Sequence, residues 1–276
     1  MSGVWLPASP CTPRACAAHD GPARHPLPAA ALLLAGCLLT LAGVLGAPLA
    51  LLLRQRHREW LVRGWAHGVV RAFGVRTRIA GQPAASGGGP GALVVANHVS
   101  WLDIPLVAAV CPGRMLAKSD IRGWPLLGPL AALGGTLFVE RERLRALPGT
   151  VDAIASALRG GARVVVFPEG STWCGRGSGG PFRPAAFQAA IDAGAAVQPV
   201  RIRYLGAAAG AAAFVGEDPL AASLWRVVRA AGLTAEIHVL PRIPADGRTG
   251  RRALARLAQS TVASDSANLP PESVHH

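Results

Sequence analysis

Apolar residues are distributed unevenly along the chain and divide it into two parts. Residues 29–53 contain no charged side chain. A helix of this length measures about 37 Å at about 1.5 Å per residue, and the hydrocarbon layer of a bilayer is about 30 Å thick. The pattern therefore predicts a membrane anchor over 29–53. This anchor is either one spanning helix or, because Gly46 and Pro48 could break the helix, a re-entrant hairpin.

A cleaved signal peptide is the alternative interpretation of the same apolar segment. That interpretation would place a leader of 28 residues before the apolar run. Arginines are dense after the run rather than before it, which is opposite to the arrangement in signal peptides. The membrane anchor is therefore the favoured prediction.

Beyond residue 75, short runs rich in β-branched residues alternate with stretches of helical periodicity. Seven runs are predicted to be strands: 75–79, 92–96, 114–117, 136–140, 163–167, 197–204 and 235–240. Four other stretches are predicted to be helices: 143–159, 184–193, 220–231 and 250–263. This alternation predicts an α/β fold with a mostly parallel central sheet of about seven strands flanked by helices, preceded by the N-terminal membrane-anchoring helix or hairpin.

These patterns divide the chain into six predicted segments. Proline and small residues without periodicity indicate a disordered leader, and glycine-rich sequence indicates a flexible loop. The segments are the leader (1–28), the anchor (29–53), a basic juxtamembrane helix with the first strand (54–80), the flexible loop (81–91), the main α/β domain (92–264) and a flexible tail (265–276). The juxtamembrane helix is expected either to lie on the membrane surface or to pack on its own domain.

Charge is concentrated next to the predicted anchor. The chain has 28 basic and 15 acidic residues, a formal net charge of +13. Residues 54–80 hold seven arginines and one glutamate, so this short segment carries nearly half of that charge. Arginines directly after an apolar anchor predict contact with anionic lipid and place the rest of the chain on the cytoplasmic side of the cell membrane. Because no basic-aromatic motif accompanies the charge, nucleic-acid binding is not predicted.

The five cysteines are scattered along the chain, and no two of them form a CxxC pair. This spacing predicts neither a disulfide framework nor a zinc site, which is typical of a protein in a reducing cytoplasm. Cys174 has no histidine near it in sequence, so it is expected to be a packed small residue rather than a nucleophile.

Two loops that follow predicted strands carry candidate chemistry, because catalytic groups in parallel sheets lie beyond the C-terminal strand ends. After 92–96 come His98 and Asp103 in an HxxxxD arrangement. A carboxylate can hold one imidazole nitrogen and leave the other to accept a proton. The alternative is that Asp103 only caps the next helix.

The second loop follows the predicted strand 163–167 and contains Glu169, Gly170 and Ser171. Gly170 permits close backbone approach, and a carboxylate beside hydroxyl groups can bind a polyol. The alternative interpretation is a tight turn with a helix cap.

Together, the two loops resemble signature blocks of the glycerolipid acyltransferase family, which contains the 1-acylglycerol-3-phosphate acyltransferases. The blocks occur here in order at 97–103, 135–141, 167–171 and 197–200. The first and third are specific, the second and fourth are loose, and the resemblance covers about residues 60–240. A glycine-rich stretch at 172–180 departs from the family pattern and leaves the acceptor open.

The resemblance implies a membrane-associated O-acyltransferase. The enzyme would move a fatty acyl group from acyl-CoA or acyl carrier protein to the free hydroxyl of a lysophospholipid, most simply converting lysophosphatidic acid to phosphatidic acid. His98 is implied as the general base and Asp103 as the group that orients it, with no metal and no cofactor besides the acyl donor. One alternative is another acceptor such as lyso-ornithine lipid. The other is a catalytically silent lipid-binding protein, which the intact His98 and Asp103 pair disfavours.

The resemblance also implies residues that bind the acceptor, including the phosphate ligand Arg141 of the second block. A planar guanidinium suits a phosphate because it can donate two hydrogen bonds at once. Lys118, the only lysine of the chain, is a further candidate for an anionic head group. With Lys118 included, the candidate substrate-binding residues are Arg141, Glu169, Gly170, Ser171, Lys118 and Arg183.

Overall fold

The computed structural model describes residues 9–81, 91–124, 127–140, 143–177, 179–246 and 249–264. The strands among these residues are β1 (Arg76–Ala80), β2 (Ala92–Ala96), β3 (Arg114–Lys118), β4 (Leu137–Val139), β5 (Val164–Val166), β6 (Ala196–Leu205) and β7 (Thr234–Val239). The helices are α1 (Pro13–Cys16), α2 (Pro26–Leu51), α3 (Gln55–Ala72), α4 (Asp103–Val110), α5 (Leu127–Leu133), α6 (Leu147–Arg159), α7 (Ala185–Ala193), α8 (Leu220–Arg229) and α9 (Arg251–Ala263).

The seven strands form one mostly parallel sheet in the order β1-β7-β6-β2-β5-β3-β4. Only the β6–β7 pair among them is antiparallel, so β1 and β7 run opposite to the other five strands. β2 pairs in parallel with both β5 and β6, which brings their C-terminal ends to one edge of the sheet. The predicted α/β fold and all seven predicted strands are confirmed.

The central strands are apolar throughout because helices cover both faces of the sheet. All five residues of β2 and all three of β5 are buried. Val94 faces a core formed with α3, α4 and α8, whereas Leu93 and Val95 face a second core formed with α6, α7 and α9. Continuous apolar runs of this kind are typical of buried parallel strands.

The predicted anchor is one continuous helix, α2. Among the described residues, α2 is the one helix that is long and apolar enough to cross a membrane. The break that Gly46 and Pro48 were expected to allow is not formed, since α2 continues through both positions. Many of its leucines remain exposed, among them Leu34, Leu38 and Leu45. This apolar surface is not covered by the described part of the protein.

The basic helix α3 folds back along α2, and two glycines of α2 make the close contact possible. Gly36 lies against the ring of Phe73 and Gly43 lies against the indole of Trp65. The Trp65 indole N–H also donates to the carbonyl oxygen of Leu39 at 2.8 Å. The juxtamembrane helix therefore packs on the anchor.

Replacing Gly43 with alanine is expected to destabilise this helix pair, because the new Cβ would overlap the Trp65 indole. Overpacking of this kind typically costs about 1–3 kcal/mol. Gly46→Ala is the matched control, since a Cβ there meets nothing within 4 Å. Thermal unfolding in detergent should show a lower midpoint for Gly43→Ala and an unchanged or higher midpoint for Gly46→Ala. Equal midpoints for the two variants would show that α3 does not pack here.

The N-terminal segment differs from the predicted disordered leader. Residues 9–25 are folded against the domain, beginning with α1, whose first turn is capped by the Thr12 hydroxyl. Arg24 donates to the carbonyl oxygens of Val228, Ala230 and Gly74 at 2.7–2.8 Å. Two of these carbonyls lie at the end of α8, where helical partners are lacking. Composition could not predict this order, because it depends on contacts about 200 residues away.

Candidate active site

The candidate site lies where three neighbouring strands end. His98 follows β2, Glu169 follows β5, and Tyr204 lies near the end of β6. Because β6, β2 and β5 are adjacent and parallel, these three side chains meet at the carboxyl edge of the sheet.

His98 and Asp103 form a direct pair. His98 Nδ1 lies 2.8 Å from Asp103 Oδ2, and the Asp103 side chain is completely buried. The same Oδ2 accepts backbone N–H groups from Val99 at 2.6 Å and from Ser100 at 2.8 Å. The carboxylate therefore binds the loop that carries His98. It makes no capping hydrogen bond to the N–H groups of α4, the alternative that the sequence left open.

This hydrogen-bond network fixes the tautomer of His98. Backbone N–H groups can only donate, so Asp103 Oδ2 acts as an acceptor for all its partners. In the neutral imidazole, His98 Nδ1 then carries the hydrogen, and Nε2 has the lone pair that can accept a proton. The imidazole also stacks on Phe167, with ring centroids 4.1 Å apart and planes 19° apart. The ring is thus held at one edge and on one face.

Tyr204 is a site residue that the sequence analysis missed. Its hydroxyl donates to Asp103 Oδ1 at 2.7 Å. Burial and the negative charge of Asp103 raise the pKa of Tyr204 well above its ordinary value, so the hydroxyl remains a donor. Tyr204 follows Val200 and Ile202 on one face of β6. A hydroxyl group at the end of such an apolar face was the feature of the sequence that could have indicated a site residue.

Replacing Tyr204 with phenylalanine is expected to lower kcat about 3- to 10-fold while leaving KM nearly unchanged. The variant removes one donor from the buried Asp103 carboxylate, and such a charged hydrogen bond contributes about 1.5–3 kcal/mol, only part of which reaches the His98 pair. Steady-state kinetics on the purified protein measure both constants. A variant with wild-type kcat would show that Tyr204 does not support the pair.

Glu169 holds the backbone of His98 in place. Its Oε2 accepts the His98 N–H at 2.8 Å, and its Oε1 accepts the Gly180 N–H at 3.2 Å. On the other side, the backbone N–H of Trp173 donates to the His98 carbonyl oxygen at 2.7 Å. Glu169 is only 4% exposed, and both of its oxygens have backbone partners. Its predicted role in binding an acceptor stays a prediction.

Burial raises the pKa of Glu169 to about 7, and the nearby charge of Asp103 adds to the rise. The backbone hydrogen bonds from His98 and Gly180 act in the opposite direction and limit the shift. The carboxyl group therefore titrates near neutral pH.

The Glu169 shift predicts a pH dependence of stability. A carboxyl whose pKa is raised on folding stabilises the fold fully below its unfolded pKa, about 4.3, and this stability is lost as the pH rises through 7. The free energy of unfolding of the wild type, relative to Glu169→Gln, should fall by up to about 3 kcal/mol between pH 5 and pH 8. Thermal unfolding of both proteins at a series of pH values measures the difference, and parallel curves would contradict the shift.

The remaining members of the Glu169 loop have local roles in the structure. Gly170 has a φ of +76°, and its N–H donates to the Phe167 carbonyl oxygen at 3.1 Å. This left-handed conformation favours glycine. Ser171 follows in the same loop and is partly buried. Gly170 and Ser171 therefore directly follow Glu169, the member of this loop that contacts His98.

The other predicted acceptor ligands are not brought into contact with His98 by the described contacts. Lys118, at the end of β3, forms an ion pair with Asp120. Arg183 is exposed, and its backbone N–H donates to the Pro168 carbonyl oxygen at 2.9 Å. Arg141 lies outside the described residues. Binding of a head group by these three side chains stays a prediction.

A cavity of about 620 Å³ opens beside His98. Its walls come from the glycine-rich stretch after Glu169, from the end of β6 and from the C-terminal end of α9. Arginines line it at positions that the sequence analysis did not select: Arg176, Arg201 and Arg203. A cavity of this volume is large enough for a small ligand, and its arginines favour an anionic one.

Comparisons with known proteins identify the family of the chain. Residues 76–203 match the family described as Acyltransferase. The chain is 37% identical over 218 residues to a lyso-ornithine lipid O-acyltransferase from Pseudomonas aeruginosa, which covers 76% of this chain and 78% of the relative. It is 40% identical over 149 residues to a 1-acyl-sn-glycerol-3-phosphate acyltransferase from Neisseria gonorrhoeae, covering 53% of this chain and 58% of the relative.

The fold is also similar to a solved structure. The crystal structure of the 1-acyl-sn-glycerophosphate acyltransferase from Thermotoga maritima superposes with a TM-score of 0.57 at 19% identity, covering 83% of this chain and 93% of that one. This similarity shows the fold alone, whereas the sequence identity to the relatives shows the family. The predicted family is thereby confirmed, and the chain belongs to the acyltransferase family that contains the 1-acylglycerol-3-phosphate and lyso-ornithine lipid acyltransferases.

Proposed function

We propose that the protein transfers a fatty acyl group from an acyl thioester to the free hydroxyl of a lysolipid. The simplest case converts lysophosphatidic acid to phosphatidic acid, with acyl-CoA or acyl carrier protein as the donor. The observation that carries this proposal is the His98 imidazole beside the cavity, with Nδ1 held by Asp103 and Nε2 left to accept a proton.

The proposed reaction is a direct transfer between the two substrates. His98 Nε2 takes the proton of the acceptor hydroxyl while the hydroxyl oxygen attacks the thioester carbonyl carbon. The new C–O bond forms, the C–S bond breaks, and the imidazolium returns its proton to the leaving thiolate. Asp103 stabilises the imidazolium while it carries the proton. No covalent acyl-enzyme and no metal enter this scheme, and the acyl donor is a co-substrate.

The acceptor is proposed to carry an anionic group, a phosphate or a carboxylate, in its head group. The arginines of the cavity wall support this choice, and Arg141, Lys118 and Arg183 remain the candidate ligands from the sequence analysis. Lyso-ornithine lipid, whose zwitterionic head group holds a carboxylate and an ammonium group, is the second candidate. It is favoured by the Pseudomonas aeruginosa relative, whose alignment covers 76% of this chain against 53% for the Neisseria gonorrhoeae relative.

The exposed apolar surface of α2 supports membrane association. Leucines of α2 and the indole of Trp60 on α3 are exposed, and seven arginines lie between residues 54 and 80. We expect α2 to enter the bilayer while the arginines contact anionic lipid on the cytoplasmic face. The domain would then receive its lipid acceptor from the membrane.

An acceptor competition tests the substrate choice. The purified protein, in phosphatidylcholine vesicles, would receive labelled acyl-CoA or acyl carrier protein with either lysophosphatidic acid or lyso-ornithine lipid, and with monoacylglycerol as the control that has no anionic group. We expect kcat/KM to be at least about tenfold higher for one of the two acceptors that carry an anionic group than for monoacylglycerol, which corresponds to about 1.4 kcal/mol. Equal use of all three acceptors would contradict an anionic head-group site.

A further inference from the structure

Three cysteines that are far apart in sequence meet in the structure. The Sγ atoms of Cys11, Cys16 and Cys174 all lie within 4.8 Å of one another. We call these residues the thiol cluster. The sequence analysis predicted no zinc site from cysteine spacing, but spacing along the chain could not show that the N-terminal segment folds onto the loop beside His98.

The surroundings of the thiol cluster are largely apolar and partly shielded from solvent. Cys16 is 8% exposed and packs with Ala213 and Val215, while Cys11 and Cys174 are partly buried beside them. Burial and the two neighbouring thiols raise the pKa of Cys16 to about 11. Burial alone would raise the pKa of Cys11 too, but hydrogen bonds from Ser9, Cys174 and Cys16 lower it overall.

We propose that the thiol cluster binds one thiolate-preferring d¹⁰ metal ion, Zn²⁺ or Cu⁺. Three sulfur ligands and no carboxylate make a soft donor set, which favours these ions over Mg²⁺, Ca²⁺ or Mn²⁺. Sulfurs at about 2.3 Å from a tetrahedral Zn²⁺ lie about 3.8 Å apart. The three sulfurs lie within 4.8 Å of one another. Side-chain rotations that move the sulfurs by about 1 Å would therefore complete the site.

The two ions would complete their coordination differently. Cu⁺ accepts three thiolates alone, whereas Zn²⁺ takes a fourth ligand such as water. Binding of either ion displaces the protons of the cysteine thiols, because the thiolate is the metal ligand. The chemistry common to both ions is therefore coordination by three thiolates, with release of protons on loading.

Metal binding at the thiol cluster would fasten the N-terminal segment to the active-site loop. Arg176 already links the same two parts of the chain, donating to the carbonyl oxygens of Ala15 at 3.4 Å and Ala18 at 3.1 Å. Cys174 directly follows Trp173, whose backbone N–H donates to the His98 carbonyl oxygen. The ion would thus restrain residues 9–19 and the loop after Glu169 together.

Competition with a chromogenic chelator tests the site on the full-length protein in detergent. The protein is fully reduced and stripped of metal, and Zn²⁺ and Cu⁺ are then titrated in separate arms. We expect one ion per chain from at least one arm. The metal affinity should fall about 100-fold or more in each of three variants: Cys11→Ser, Cys16→Ser and Cys174→Ser. Loss of a residue that only hydrogen-bonds to a metal ligand typically lowers metal affinity about 10- to 100-fold, and loss of the ligand itself should lower it further. Cys37→Ser is the matched control, since Cys37 is exposed on α2.

Hydrogen exchange provides a second readout that does not depend on the chelator. The ion should slow amide exchange over residues 9–19 in the wild type and in Cys37→Ser, but not in Cys174→Ser, which leaves the N-terminal sequence intact. No binding by the reduced wild type, or undiminished binding by Cys174→Ser, would overturn the proposal.

Discussion

Replacing His98 with alanine is expected to lower kcat about 10³- to 10⁴-fold. General base catalysis contributes about 10²- to 10⁴-fold to such reactions, and His98 is the proposed base among the residues that line the cavity. Substrate binding should change little, because alanine removes the proton acceptor and not the cavity walls. Steady-state kinetics with a saturating acyl donor measure this loss.

His57→Ala is the matched control for the loss of an imidazole, since His57 is exposed on α3. This control variant should keep kcat within about twofold of the wild type, in line with the small effects of surface substitutions. The thermal unfolding midpoint of His98→Ala should stay close to that of the wild type and show that the fold is retained. A folded His98→Ala protein with wild-type turnover would show that the base lies elsewhere.

Replacing Asp103 with asparagine is expected to lower kcat about 10²-fold. The backbone N–H groups of Val99 and Ser100 would keep the amide oxygen at the position of Oδ2, so His98 keeps its hydrogen-bond acceptor. The amide nitrogen would face the Tyr204 oxygen, which can accept a hydrogen bond. Asparagine therefore removes the negative charge that stabilises the imidazolium while the tautomer is retained.

The double variant His98→Ala with Asp103→Asn distinguishes this role from a structural one. Residues that act as a unit have non-additive effects, so the double variant should be no slower than His98→Ala alone. A further loss of about 10²-fold in the double variant would mean that Asp103 acts independently of His98. The comparison uses kcat, because both substitutions are expected to act on the chemical step.

The sheet could be predicted from sequence because its signal is local. β2 and β5 are continuous apolar runs between turn-forming residues, and buried parallel strands have this pattern. His98 and Asp103 could be predicted as a pair because they are close in sequence. His98 lies in the loop after β2, and Asp103 is the first residue of α4. The start of α6 was predicted four residues early, since a short 3₁₀ turn precedes it and Pro148 lies in its first turn.

Other elements carried no local signal. The sequence analysis did not predict α4, which is almost uniformly apolar and therefore lacks the polar face that marks an amphipathic helix. Tyr204 reaches Asp103 across 101 positions of sequence, and Cys174 reaches Cys11 only because the N-terminal segment is folded. Contacts of this range depend on the completed fold, so neither composition nor periodicity reveals them.

The central claim is that His98 drives acylation of a lysolipid. Membranes that contain either the wild type or His98→Ala would be given labelled acyl-CoA or acyl carrier protein with a panel of lysolipids. The account predicts a labelled diacyl product on at least one lysolipid of the panel with the wild type, and a loss of about 10³-fold or more with His98→Ala. The absence of a His98-dependent product on every acceptor would contradict it.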